Sequence, residues 1–187
     1  SGFSHLARLA APRGNSGLFG RAFPLKSAGK ARRTLFFPMP ADDERSAYHN
    51  ALLAWAAGDL EHVLALFAED VVYVVNVDGT KVPYASSATG REDVRRRFEL
   101  LLDTFVVDSY TVESLVHEPD FSRAAVVGNY THKATGERIR LRFRMRGWVE
   151  NGLLTRVEEL HDAAYVEAFA RLVEHLQARL SSQSPDC

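Results

Sequence analysis

Glu159 and His161 stand two residues apart in a segment that reads as a strand. Alternation puts both on one face with Leu153, Thr155 and Val157, leaving Leu154, Arg156, Glu158, Leu160 and Asp162 on the other. A carboxylate and an imidazole on one apolar wall are suited to proton transfer. Burial there would raise the Glu159 pKa toward the range of a general base, and taking a proton from beside a substrate carbonyl is the natural reaction. His161 or Tyr73 would assist, as proton shuttle or as a donor to an oxyanion. The plain alternative is an ion pair between Glu159 and one of the many strand arginines.

Two more histidines, His132 and His117, fall on other predicted strands and could converge on the same hollow, although each taken singly reads first as a surface or structural residue. Three histidines with Glu159 could in principle bind zinc, but their spacing matches no ligand motif, so no metal is expected. Trp55, Tyr73, Asn76 and Tyr84 are candidate pocket walls, with Met145 on the apolar side of a nearby strand. Rings would hold a flat apolar ligand, and hydroxyls and the Asn76 amide would orient its oxygens; ordinary core packing explains Trp55 and Tyr73 as well. Nothing points to nucleophilic catalysis, since there is no Gly-x-Ser-x-Gly elbow and the single cysteine is Cys187. Glycine loops that cradle phosphate are also missing.

Positioning these groups falls to a helical first half and a strand-rich second half. Acidic Asp42, Asp43 and Glu44 suit a helix start, Tyr48, Leu52 and Trp55 follow at helical spacing, and Gly58 ends the element. Asp59 can cap a short second helix whose stripe is Leu60, Val63, Leu64 and Phe67. Val71–Val77 reads as a strand and 81–88 as a loop around Pro83. Thr89 and Glu92 have capping-box spacing for a third helix, with Val94, Phe98, Leu101, Leu102 and Phe105 on one face. The period then switches to two over 110–117, 123–132 and 137–150. In the last of these Arg138, Arg140, Arg142, Arg144 and Arg146 oppose Ile139, Leu141, Phe143, Met145 and Val149. That arginine stripe reads as a solvated sheet face, or as a dimer interface balanced by acids such as Glu158 and Asp162; it could also bind an anionic ligand or partner. Asn151-Gly152 is a type I′ hairpin signal. A final helix carries Val166, Phe169, Val173, Leu176 and Leu180.

Charge divides the chain. Residues 1–41 hold seven basic residues and no Asp or Glu, leaving 16 basic residues against all 24 acids in the remainder, a net of −8. The body therefore repels nucleic acid and anionic membranes, and no apolar run approaches the ~18 residues of a membrane span. Residues 1–40 read as a disordered leader with three explanations: a true start near Met39, a mitochondrial transit peptide, or a functional basic arm. Without such a leader the expected location is cytoplasmic. Residues 41–187 form the folded domain, an α+β arrangement in which three helices cover the apolar face of an antiparallel sheet.

Several stretches resemble the nuclear transport factor 2-like superfamily, particularly its SnoaL-like and ketosteroid-isomerase-like members. They are Ala54-Trp55-Ala56-Ala57-Gly58-Asp59-Leu60-Glu61, then Leu64 through Tyr73, Pro83-Tyr84-Ala85, Gly90-Arg91-Glu92-Asp93-Val94, and the hairpin from Thr135-Gly136 through Asn151-Gly152 to Glu159. The resemblance covers about residues 45–165. It implies a cone-shaped barrel, a curved antiparallel sheet wrapped around three N-terminal helices with a C-terminal helix. A deep pocket and a homodimer formed through the outer sheet face are also implied. The family's enzymes act on apolar carbonyl or epoxide compounds with pocket carboxylates, usually without metal or cofactor.

Two positions depart from the isomerase pattern. Ala51 stands where those enzymes have a first-helix tyrosine, and Val75, beside Asn76, where they have the basic aspartate. Glu159 falls at the acid–base aspartate of the SnoaL-like cyclases, seven residues after the hairpin glycine. Three functions stay open: an isomerase, cyclase or hydrolase without cofactor acting on a small apolar carbonyl compound, a non-catalytic binder of a hydrophobic small ligand, and a dimeric interaction module.

Overall fold

The computed structural model describes residues 42–182; the basic leader 1–40 and Cys187 lie outside the described residues. Helix α1 (Asp42–Ala57) buries Tyr48, Ala51, Leu52 and Ala54, and Gly58 leaves it with φ +76°, a left-handed exit that glycine makes without strain. Asp59 caps α2 (Leu60–Ala65) by accepting a 3.0 Å hydrogen bond from the His62 amide. Phe67, which the helical spacing assigns to α2, instead opens β1 (Phe67–Val75). Its partner on the sheet is Leu154, and the Leu154 amide bonds the Leu66 carbonyl at 2.8 Å, so tertiary pairing overrides the local period.

A 3-10 turn (Pro83–Ala85) and the two-residue strand β2 (Ala88–Thr89) lead to α3 (Arg91–Thr104). The expected capping box does not form. Thr89 is committed to β2, paired with Val72, and the N-cap is Gly90 at φ +87° without a side-chain cap bond. Phe105 likewise leaves the helix stripe and begins β3 (Phe105–His117). The chain continues through β4 (Ser122–His132), β5 (Arg138–Glu150), β6 (Leu153–Leu160) and α4 (Ala163–Ser182). Asn151 and Gly152, at φ +53° and +77°, make the β5–β6 hairpin, as a type I′ turn demands.

The fold is the α+β one expected: the described residues form four α-helices and a curved six-stranded sheet, not closed, of order β2-β1-β6-β5-β4-β3. Every neighbouring pair is antiparallel except β1–β6, which runs parallel. On β5 the alternation holds closely: the five arginines are exposed while Ile139, Phe143, Met145 and Gly147 are buried. Arg142 pairs with Glu113 at 2.9 Å and Arg146 with Glu158 at 3.8 Å. Asp162 does not balance that stripe; it caps α4, accepting from the Tyr165 amide at 3.1 Å. In α4 Val166, Phe169 and Val173 are buried, whereas Leu180 is half exposed. No helix among the described residues is long and apolar enough to cross a membrane.

Packing of α1 on the sheet depends on a glycine. A Cβ at Gly147 of β5 would run into the ring of Tyr48, itself fully buried, and against Leu154. Gly147→Ala should therefore destabilise the fold by about 1–3 kcal/mol in urea unfolding, the cost typical of overpacking. An unchanged midpoint would show that α1 does not press on β5 at this point.

Candidate functional site

Pairing along β1 and β6 brings two candidate side chains together. Tyr73 lies opposite Val157 and Val75 opposite Glu159, so residues 73 and 159 share the inner face. β6 does not alternate cleanly: β5 matches Trp148 to Arg156 and Val149 to Leu154, skipping Thr155. The bulge turns Leu154 inward ahead of Val157 and Glu159, so the inner face holds Leu154 where plain alternation assigns Leu153 and Thr155. Parallel pairing then continues past the strand ends. The Asn76 amide bonds the Glu159 carbonyl, and the Asn76 side chain clamps the backbone of His161, donating to its carbonyl at 2.9 Å and accepting from its amide at 2.7 Å.

Behind these strands lies a cavity of about 90 Å³, several times the space one water needs. Its wall is mostly apolar and aromatic, including Trp55, Phe98 and Phe143, and its polar groups are few: Tyr48, Tyr73, Tyr84, Arg97, Tyr110, Tyr130, Glu159 and His161. Glu159 is 8% exposed. Its Oε1 accepts from the Tyr73 hydroxyl at 2.6 Å, and its Oε2 accepts from Arg97 Nη2 at 2.7 Å and faces His161 Nε2 at 3.4 Å. The guanidinium sits over the Tyr73 ring, Cζ to centroid 4.6 Å, and the His161 imidazole stacks on Phe143 at 4.6 Å.

The electrostatics differ from the expectation that burial governs Glu159. Burial does push the carboxyl up, but Arg97, together with His161 and the Tyr73 hydroxyl, outweighs it and holds the pKa near 2. Glu159 is therefore a fixed anion at neutral pH. Burial also pushes the Arg97 guanidinium down, and the Glu159 charge more than reverses it, so Arg97 stays charged. Tyr73 is driven well above its ordinary value, first by burial and then by the adjacent carboxylate.

The remaining candidates divide. Trp55, Tyr84 and Met145 line the cavity; Met145 Sδ accepts from the Tyr110 hydroxyl at 3.3 Å. Asn76 is exposed and does not line it, acting only on the His161 backbone. His117 and His132 do not reach it. His117 Nδ1 meets the Ser122 hydroxyl at 2.7 Å at the far end of the β3–β4 ladder, and His132, the last residue of β4, meets Thr135 at 2.9 Å in the turn to β5, with its ring edge-on to Phe105. Among the described residues no group of three or more His, Cys, Asp or Glu side chains is placed to hold a metal ion. Arg97 is the residue that strand-centred reasoning misses. Its signal was present: Val94, Arg97, Phe98 and Leu101 are spaced i, i+3, i+4, i+7, which puts a charge in the middle of an apolar stripe.

Removing one ion of a buried pair strands the other. Arg97→Met should cost ~3–5 kcal/mol, whereas Arg97→Met/Glu159→Gln should regain most of that loss. Because the folded pKa of Glu159 lies below its ordinary 4.5, its stabilisation is complete above pH ~4.5 and disappears as the pH falls toward 2. Relative to the double variant, wild-type unfolding free energy in urea should drop by on the order of 3 kcal/mol across that window. Parallel pH profiles for the two proteins would contradict this assignment.

Comparison with known proteins agrees with the fold. The SnoaL-like domain family matches residues 47–157. No curated protein sequence matches the chain. Among solved structures, a nuclear transport factor 2-like protein from Burkholderia thailandensis superposes with TM-score 0.60 at 17% identity, covering 68% of this chain and 96% of that one. TerC, co-crystallised with polyporic acid, gives TM-score 0.59 at 14% identity, with 69% and 98% covered. A protein of ketosteroid isomerase-like fold from Catenulispora acidiphila, in complex with trimethylamine, gives 0.50 at 16%, with 60% and 82% covered. At such identities the structural likeness carries the fold alone; the family match spans more than half of the chain, which belongs to the SnoaL-like domain family.

Proposed function

We propose that the cavity is the active site of an enzyme doing acid–base chemistry on a small, largely apolar carbonyl compound. The observation that carries this reading is the Glu159–His161 contact inside an apolar wall. With Glu159 held ionised, His161 is the group that moves the proton. Its Nε2 faces the carboxylate, and its Nδ1 is buried without a hydrogen-bond partner among the described residues. In the step, the C–H bond beside the carbonyl breaks, the proton goes to Nδ1, and the electron pair moves onto the carbonyl oxygen as an enolate. Glu159 stabilises the resulting imidazolium, and Tyr73 and Arg97 hold Glu159 in place. The Tyr48 and Tyr84 hydroxyls, buried and unpartnered, are available as donors to a ligand oxygen. Both remain protonated, since burial raises Tyr48 above its ordinary value and pushes Tyr84 up to about 12. Return of the proton elsewhere gives isomerisation; attack of the enolate on a second carbonyl gives ring closure.

The second reading is a binder of a hydrophobic small molecule. It is favoured by the closed polar cluster, in which the carboxylate already has partners for both oxygens. Small ligands bound to TerC and to the Catenulispora protein are compatible with either reading.

Exchange of carbon-bound hydrogen separates the two readings without knowledge of the natural substrate. A panel of small apolar ketones incubated in D2O should gain deuterium beside the carbonyl faster with the protein than without it. His161→Asn and Glu159→Gln should each slow that exchange by about 10²–10⁴-fold with the melting temperature little changed for His161→Asn. Exchange at the buffer rate for the whole panel, together with a small molecule found by mass spectrometry in the purified protein, would favour the binder.

A further inference from the structure

The cavity has more hydrogen-bond donors than acceptors. Among the described residues Glu159 is its only acidic side chain, and each carboxylate oxygen already accepts a hydrogen bond, Oε1 from Tyr73 and Oε2 from Arg97. Arg97, whose side chain is 4% exposed, donates through Nη2 alone. Nε and Nη1 are buried and have no hydrogen-bond partner among the described residues, which leaves three N–H groups unused. The Tyr73 ring beneath the guanidinium stabilises its charge and the Tyr73 hydroxyl interacts with it as well, yet Nε and Nη1 stay without a partner. The hydroxyls of Tyr48 on α1 and Tyr84 on the 3-10 turn are in the same condition. Against these stand one orphaned acceptor, His161 Nδ1, and the two hydroxyl oxygens themselves. Native interiors rarely leave such donors unpaired, because each costs about 1–3 kcal/mol when nothing accepts from it.

A ligand that removes this imbalance must bring oxygen acceptors and no extra donors. Ketone oxygen brings one acceptor. Carboxylate brings two oxygens with about four lone-pair sites, and bonds from a guanidinium to it are charge-assisted. We infer that the ligand of this cavity is an apolar carboxylate, its acid group accepting from Arg97 and from the Tyr48 and Tyr84 hydroxyls while its hydrocarbon part packs on Trp55, Phe98 and Phe143. This rests on the reading of the cavity as a ligand site and narrows its substrate class: the compound that reacts carries an acid group in addition to a carbonyl.

Phenylacetate and phenylacetone test it, since they differ only in an O⁻ replaced by a methyl group beside the same carbonyl. In calorimetric titrations of the full chain, phenylacetate should bind at least about tenfold tighter. In Arg97→Met/Glu159→Gln, which leaves no lone buried charge, the preference should fall below about threefold. Tyr48→Phe/Tyr84→Phe keeps the ion pair intact and should by itself lower phenylacetate affinity by about threefold or more. Equal binding of both compounds to the wild type, or a preference that survives in both variants, overturns the inference while the acid–base reading stands. Binding of neither compound overturns both.

Discussion

The buried ion pair between Arg97 and Glu159 is the constraint around which the interior of this protein is arranged. Neither charge can be left alone in so apolar a wall, and neither can leave without stranding the other. That necessity fixes α3 against β6, because the pair spans 62 residues of sequence and joins a helix to a strand. Tyr73 closes the cluster from β1, lending its hydroxyl to the carboxylate and its ring to the guanidinium. Three elements are thereby tied at one point. Around it the wall is hydrocarbon, so the field of the pair is poorly screened and reaches the ligand space.

The same pair decides what each titratable group can do. Burial by itself would make Glu159 a base; the guanidinium makes it a permanent anion. In the proposed reaction, proton transfer therefore passes to the neighbouring imidazole, with the carboxylate as its electrostatic support. Arg97 in turn offers the cavity unused donors beside a neutralised charge. The proposed catalysis and the proposed ligand choice draw on two ends of one interaction.

Much of this was legible in the residues. The period-two run on β5, the Asn151-Gly152 turn and the helical stripe of α3 follow from side-chain alternation and turn chemistry, which are local. The inward placement of Val157, Glu159 and His161 follows from the same alternation. What could not be read is set by contacts distant in sequence. Phe67 and Phe105 leave helices for strands because partners on β6 and β4 claim them. Thr155 bulges to fit β5, and Thr89 gives up its cap for a ladder with β1. His117 and His132 lie on inner-looking strands yet end beyond the cavity, since strand identity does not fix depth along the strand. Arg97 was legible and passed over: a charged residue at the centre of an apolar stripe is a statement about the interior, not a blemish in the stripe.

The parallel β1–β6 pair carries a consequence for how this interior comes into being. Its two strands are separated by most of the domain, and the Asn76 clamp on His161 spans 85 residues. Until Glu159 has been added, the tyrosine of β1 and the arginine of α3 have no anion to meet, and both must remain hydrated. The polar cluster is therefore assembled only after β6 has been made, by contacts whose loop-closure entropy is among the largest the domain incurs. Hairpins β3–β4 and β4–β5 can form from neighbours alone; the interior hollow exists only once the first strand has found the last.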